Sequence, residues 1–302
     1  NERTVLLPDG SVGLIPDDFV ARYGLLAGLG AIEGKSLRFQ RSQAGLLDVL
    51  FASIPEVNID REFTEYRARI SRFEGIKPAQ QPPAFEGSLR DYQREGLAWL
   101  QFLQEIRVGG CLADDMGVGK TAQVLALLET RRELRSNAAG NGSHPGPSLL
   151  VAPRSIIVNW KQEAARFTPQ LRVLDYTHAE RRTSFDEIGA FDVVLATYGT
   201  LRRDIVELRK VQFDYVVLDE AQAIKNAASD SAKAARLLTS SHRLALSGTP
   251  VENHLGELGS LFEFLNPGML GSSSSGRLAG RNLRNPDEDT RLLLGRALRP
   301  FI

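Results

Sequence analysis

Asp114-Asp115-Met116-Gly117-Val118-Gly119-Lys120-Thr121 decides how the rest of this chain is read. A short apolar run, Gly110 to Ala113, precedes it, and a helix-friendly run, Ala122 to Glu133, follows. A strand, a glycine-containing turn and a helix in that order build an anion cradle, because backbone N–H groups and the positive end of the helix dipole point at one spot. Lys120 adds a point charge there, and the Thr121 hydroxyl stands where it can bind Mg²⁺. The strict form of the pattern is G-x-x-x-x-G-K-[ST], and Asp114 replaces its first glycine. Gly117 and Gly119 still permit close approach of the backbone. The stretch predicts a nucleoside triphosphate site. Taken alone, its plainer alternative is a strand-to-helix turn with an exposed lysine.

Working outward, apolar runs and helical patterns alternate. Leu89 to Gln104 is amphipathic, Leu149 to Ala152 reads as a strand, and Ile156 to Phe167 as a helix. Val173 to Tyr176, Val193 to Thr197, Tyr215 to Asp219 and Leu244 to Ser247 are further strand candidates. Several are apolar throughout, as strands covered on both faces are. The alternation predicts an α/β fold with a parallel sheet and helices on both faces. Residues 1 to 80 differ in texture and are expected to form a small α+β accessory region. Pro8-Asp9-Gly10 suggests a hairpin near Val5 to Ile15, and Ser42 to Ala52 and Phe63 to Phe73 are helical in pattern. Lys77-Pro78-Ala79-Gln80-Gln81-Pro82-Pro83 reads as an extended linker, so the main domain is placed at 84 to 302. Ser136 to Pro147 and Gly271 to Gly276 read as surface loops.

The bulk properties narrow the function classes. The chain has 302 residues, 42% hydrophobic and 25% charged, with a formal net charge of zero. No global field draws nucleic acid, so such a site must be a local patch. One cysteine, Cys111, excludes an internal disulfide framework and a thiolate metal cluster, and a buried structural thiol is expected. Four histidines, His144, His178, His242 and His254, lack metal-ligand spacing. No signal-peptide pattern opens the sequence and no apolar stretch is long enough to span a bilayer, so a cytoplasmic protein is the expectation, nuclear if eukaryotic.

Two more stretches carry chemistry. Val216-Val217-Leu218-Asp219-Glu220 is an apolar strand ending in two carboxylates. In a triphosphatase the first acid, with Thr121, holds Mg²⁺ and the second polarises the attacking water, which suits a reaction made mostly of positioning and charge neutralisation. Lys120, Asp219 and Glu220 are therefore the candidate catalytic residues. Ser247-Gly248-Thr249-Pro250 lies at another strand end, where its hydroxyls could link the triphosphate site to a moving partner, or form a plain turn.

Together the chain from about 84 to 302 resembles the first RecA-like motor lobe of the Swi/Snf-type ATPases, DNA translocases of helicase superfamily two. Leu89 to Leu100 is similar to the family's entry motif, and the resemblance implies that Gln93 reads the adenine edge. Asp114 to Thr121 resembles motif I, including Asp for the first glycine, so Asp115, Met116, Gly117, Val118, Gly119, Lys120 and Thr121 are implied to hold ATP. Val151-Ala152-Pro153-Arg154, with Trp160 downstream, resembles motif Ia, and Pro153, Arg154, Thr197 and Tyr198 are implied to lie along a DNA backbone. Asp219-Glu220-Ala221-Gln222, followed by Ile224-Lys225-Asn226, resembles motif II. Ser247 to Pro250, with Glu252-Asn253 and Leu261 to Pro267, resembles motif III and its extension. Gln222, Ser247, Gly248 and Thr249 are the implied coupling residues.

Two positions depart from the pattern. Gln222 stands where many eukaryotic members have histidine, though either side chain can hydrogen-bond across to motif III. Ser275-Gly276-Arg277 stands where the family carries an aromatic residue. The resemblance implies ATP and Mg²⁺ as cofactors, and duplex DNA and a second RecA-like lobe as partners. That lobe supplies arginine fingers worth roughly 10³ to 10⁵ in rate; nothing before Ile302 resembles it, so weak turnover is expected of these 302 residues alone. A strand-separating RNA helicase of the same superfamily and a non-catalytic nucleotide-binding module remain the alternatives. The bases Arg154, Lys161, Arg166, Arg202 and Arg203 fit a DNA face or a merely solvated one equally.

Overall fold

The computed structural model describes residues 4–6, 12–14, 26, 29–33, 36–51, 61–71, 76–115, 117–137, 145–179, 181, 185–248, 255–271 and 294–302. The chain divides into two compact units, Asn1–Ala68 with Pro267–Arg299, and Arg69–Asn266 with Pro300–Ile302.

In the first unit, β1 (Thr4–Leu6) and β2 (Val12–Leu14) pair antiparallel, as the hairpin reading expects. β3 (Ala31–Glu33) and β4 (Ser36–Arg38) form a second antiparallel pair. Helices α1 (Ala44–Phe51) and α2 (Arg61–Ser71) follow, α2 entering the second unit at Arg69. α1 buries Leu46, Leu47 and Leu50, and the buried Gln43 side chain before it donates to the Leu29 carbonyl at 2.7 Å.

The second unit holds α3 (Asp91–Ile106), β5 (Gly110–Leu112), α4 (Lys120–Asn137), β6 (Ser148–Ala152), α5 (Arg154–Phe167), β7 (Val173–Asp175), β8 (Val193–Thr197), α6 (Tyr198–Leu208), β9 (Gln212–Leu218), α7 (Asp230–Leu237), β10 (Thr239–Leu246) and α8 (Leu255–Leu265). The six strands form one sheet in the order β5-β10-β9-β6-β8-β7, every pairing parallel. The chain alternates strand and helix because parallel neighbours need crossovers. Alternate residues of each strand then pack on opposite faces. Cys111, Leu149, Val151, Val194, Ala196, Val216, Leu218 and Ala245 join Leu201 and Leu208 of α6, Ala232 and Ala235 of α7, and Leu261 and Phe264 of α8. Leu112, Leu150, Ala152, Leu195, Val217, Leu244 and Leu246 join Leu97 and Leu100 of α3, Val124 and Leu125 of α4, and Ile157 and Trp160 of α5. Burial on both faces is why the strands read as unbroken apolar runs.

Polar side chains close the sheet's other groups. The buried Asn266 mimics a strand neighbour for Gly109: its Oδ1 accepts the Gly109 N–H at 2.8 Å and its Nδ2 donates to the Gly109 carbonyl at 2.9 Å. A Cβ on Gly109 would stand 2.6 Å from the Leu265 carbonyl oxygen, so only glycine fits. Arg131 binds Asp214 in a fork, both contacts at 2.7 Å, with Asp214 almost fully buried. Burial of Cys111 pushes its thiol up to about 12, which makes it the inert structural thiol the sequence suggests. Among the described residues no helix is long and apolar enough to cross a membrane, and no cluster of His, Cys, Asp and Glu could hold a metal.

Candidate active site

Because all six strands run the same way, their carboxyl ends share one edge, where ligands of open α/β sheets bind. β5, β10 and β9 are neighbours, with Leu112 beside Leu246 and Leu218 beside Ala245. This register sets the phosphate turn, Ser247 and Asp219 side by side. Across β9, Val151 pairs with Leu218, so Pro153 and Arg154 follow next to Asp219, and Thr197 ends the adjoining β8. Five stretches far apart in sequence thus converge on one rim.

The turn has the shape its glycines require. Gly117 and Gly119 take φ of 87° and 82°, left-handed values that L side chains rarely adopt. The space beside the Gly117 Cα is open, with nothing within 4 Å of a built Cβ. Lys120 opens α4, and its Nζ folds back to donate to the carbonyls of Asp114 at 2.6 Å and Asp115 at 2.9 Å. The ammonium is thereby parked inside the turn it serves. Thr121 follows it, half-buried, and Met116 lies outside the described residues.

Gln93, expected to read adenine, lies beside the phosphate turn. Its Oε1 accepts the Arg90 N–H at 3.0 Å and its Nε2 donates to the Val118 carbonyl at 3.1 Å. The side chain therefore caps α3 and holds the phosphate turn, and one N–H and one Oε1 lone pair remain for a base. Tyr92, which no local pattern singles out, donates its hydroxyl to the same Val118 carbonyl at 3.0 Å. Two donors on one carbonyl tie α3 to the tip of the turn.

Asp219 is the most densely held residue at the rim. Its N–H donates to the Val151 carbonyl at 2.8 Å, and its carbonyl accepts the Tyr198 hydroxyl at 2.8 Å. Its Oδ2 accepts the Trp160 indole N–H at 2.7 Å and its Oδ1 accepts the Glu220 N–H at 2.8 Å. Burial pushes the carboxyl upward, against the lowering effect of the Trp160 and Glu220 N–H groups and the Lys120 charge. Glu220 itself is left-handed, φ 50° and ψ 56°, and its Oε2 accepts the Gln222 amide N–H at 2.6 Å. Gln222 thus supports Glu220 from two residues away. The Ser247 N–H donates to the Leu112 carbonyl at 3.2 Å, Gly248 follows it on the rim, and Thr249 and Pro250 lie outside the described residues.

The residues expected to face DNA divide. Pro153 is the N-cap of α5 and Arg154 its exposed first residue. Thr197 is the N-cap of α6, its hydroxyl accepting the Thr200 N–H at 3.0 Å, a cap that the Thr-x-x-Thr spacing could have signalled. Tyr198, the first residue of α6, is 8% exposed, and its hydroxyl donates to the Asp219 carbonyl. Of the flanking bases, Lys161 pairs with Asp175 at 2.8 Å, Arg202 donates to Ser231 and Arg203 to the Gly199 carbonyl.

A parallel sheet whose carboxyl edge joins a glycine-bent phosphate turn, a lysine and a strand-end acidic pair defines a RecA-like nucleotide-binding lobe. A family model described as the SNF2-related domain matches residues 92–302, and the chain belongs to that family. It is 37% identical over 266 residues, 87% of this chain, to YwqA of Bacillus subtilis (strain 168), named as a putative ATP-dependent helicase/translocase. It is 38% identical over 202 residues, 65% of this chain, to the TATA-binding protein-associated factor MOT1 of Saccharomyces cerevisiae. The SWI2/SNF2 ATPase core of Sulfolobus solfataricus in complex with dsDNA matches with a TM-score of 0.64 at 37% identity, over 74% of this chain and 45% of that one. The chain spans 27% and 11% of the lengths of the two curated relatives.

Proposed function

We propose that residues 84 to 302 form the first, ATP-holding lobe of a motor that hydrolyses ATP to move along duplex DNA, with residues 1 to 80 as an accessory region. The observation that carries the reading is the convergence of Lys120, Thr121, Asp219 and Glu220 on one rim, built from adjacent parallel strands. The triphosphate lies on the turn from Asp115 to Thr121, and Lys120 exchanges its two carbonyl partners for phosphate oxygens. The all-oxygen donor set of the Thr121 hydroxyl and the Asp219 carboxylate suits Mg²⁺, each Asp219 oxygen keeping a lone pair after its one N–H partner. A bound Mg²⁺ would neutralise phosphate charge. Glu220 orients the attacking water, held in place by Gln222.

Pro153, Arg154 and Thr197 present α5 and α6 to the sugar-phosphate backbone, so contacts position the duplex without reading sequence. Ser247, Gly248 and Thr249 couple the site to a second RecA-like lobe, which brings the arginine that completes hydrolysis. The Sulfolobus solfataricus match is a core bound to dsDNA, which supports duplex DNA as the partner. Such a motor works where the DNA is, in a bacterial cytoplasm or a nucleus. The test is ATPase activity of the full-length protein with duplex DNA, single-stranded RNA or neither. Strong stimulation by duplex of unrelated sequences is the expected result. Stimulation by RNA alone would assign a strand-separating helicase, and absence of turnover in every arm would leave only a binding module.

A further inference from the structure

Two helices reach Asp219 from outside the acidic motif. Trp160, in the second turn of α5, is 2% exposed and sends its Nε1–H to Oδ2 at 2.7 Å. Tyr198, at the start of α6, sends its hydroxyl to the main-chain carbonyl of the same residue at 2.8 Å. With the Glu220 N–H on Oδ1, the carboxylate has one donor on each oxygen, which fixes both of its side-chain torsions. The geometry points to Trp160 as a positioning residue for the metal-holding carboxylate, assisted by Tyr198 gripping the main chain.

The choice of an indole has a chemical logic. An indole N–H can donate but never accept, so it orients the carboxylate without competing for the cation. It is also neutral. A lysine or arginine in its place would cancel the negative charge that a divalent ion needs. Outer partners of metal ligands work in this way, fixing orientation and leaving the coordinating lone pairs free. The simpler account is that a buried indole needs some acceptor and Asp219 happens to supply it. The two accounts differ in what happens to metal affinity when the N–H is removed and the ring retained.

This role rests on the Mg-ATP reading above, and the experiment separates the two. In the full-length protein, Trp160→Phe removes the N–H, and site-specific β-(3-benzothienyl)alanine at position 160 replaces it by sulfur at nearly unchanged shape. Tyr198→Phe removes the second donor. The readout is equilibrium binding of a fluorescent ATP analogue as Mg²⁺ is titrated. Both position-160 variants are expected to raise the Mg²⁺ midpoint roughly tenfold or more, with analogue binding restored at saturating Mg²⁺, and Tyr198→Phe to shift it the same way by less. A midpoint within about twofold of wild type in the benzothienyl variant overturns the role of Trp160, even if the bound fraction or thermal stability drops. Should Trp160→Phe fail to fold, the benzothienyl variant decides. Wild-type protein with no Mg²⁺-dependent analogue binding would instead overturn the nucleotide reading itself.

Discussion

Removing the Asn266 side chain tests the idea that a single amide finishes the edge of the sheet on which the phosphate turn is built. Asn266→Ala strands both the N–H and the carbonyl of Gly109, a buried residue immediately before β5. An unsatisfied buried donor or acceptor costs about 1–3 kcal/mol. The vacated space is polar and of about side-chain size, so a water can enter and recover part of this, leaving an expected loss of about 2–4 kcal/mol. Asn266→Asp is the sharper variant. A carboxylate can accept the Gly109 N–H but faces the Gly109 carbonyl oxygen with another oxygen, so at pH 7 the loss should at least match that of alanine. A protonated acid restores a donor. The folded state then favours the protonated form, its pKa lies above the unfolded value near 3.9, and the deficit should shrink as pH falls through the raised folded value. Urea unfolding from pH 7 to pH 4, compared at equal m-value, measures all three proteins. An Asn266→Ala loss below about 1 kcal/mol, or an Asn266→Asp deficit that does not change with pH, would refute the pairing.

Two further outcomes follow from other residues. His242 stacks on Tyr215 with ring centroids 4.7 Å apart, and burial lowers its pKa to about 4. The unfolded state binds the proton first as pH falls, so stability is lost between about pH 6.5 and 4, by about 2 kcal/mol after allowance for partial exposure, and His242→Phe should flatten that part of a urea pH series. Glu220→Gly relieves a left-handed backbone that costs a non-glycine residue about 1 kcal/mol, while removing an exposed hydrogen bond of no greater worth. Its unfolding midpoint should stay level or rise slightly while ATP turnover by the full-length protein falls roughly a hundredfold or more; a clear destabilisation would show that the conformation is not strained.

The sheet was legible because burial on both faces leaves long apolar runs, and β8 falls at Val193–Thr197 as read. Where one end of a strand is polar, the pattern fails. β9 begins at Gln212 and β10 at Thr239, three and five residues before their apolar runs, because polar residues at those ends pair through main-chain groups. Helix α6 is hidden in the sequence because Arg202-Arg203-Asp204 obscures its apolar stripe, and Asp204 is itself non-helical, φ −112° and ψ 16°. The candidate site's glycine turn, lysine and acidic pair were legible as motifs, since such placements follow from local chemistry. Their supports were not. Trp160 meets Asp219 across 59 positions and Asn266 meets Gly109 across 157, contacts that only the tertiary fold creates.

Glu220 shows what such supports accomplish. A non-glycine residue at φ 50° is held against its own preference, and the means of holding it are on either side. Its N–H is fixed by the Asp219 carboxylate, its carbonyl accepts the Ala223 N–H at 3.0 Å, and its carboxylate accepts the Gln222 amide. The turn that follows is in turn pinned by Ser260 of α8, whose hydroxyl donates to the Ile224 carbonyl at 2.6 Å. With an extended backbone, Glu220 would continue the alternation of β9, and successive side chains would point to opposite faces. The left-handed turn breaks that alternation directly after Asp219. It lets two consecutive acids serve one rim: the first locked onto Trp160, the second aimed by Gln222. The strain is therefore the structural cost of turning two acids that are adjacent in sequence toward one rim.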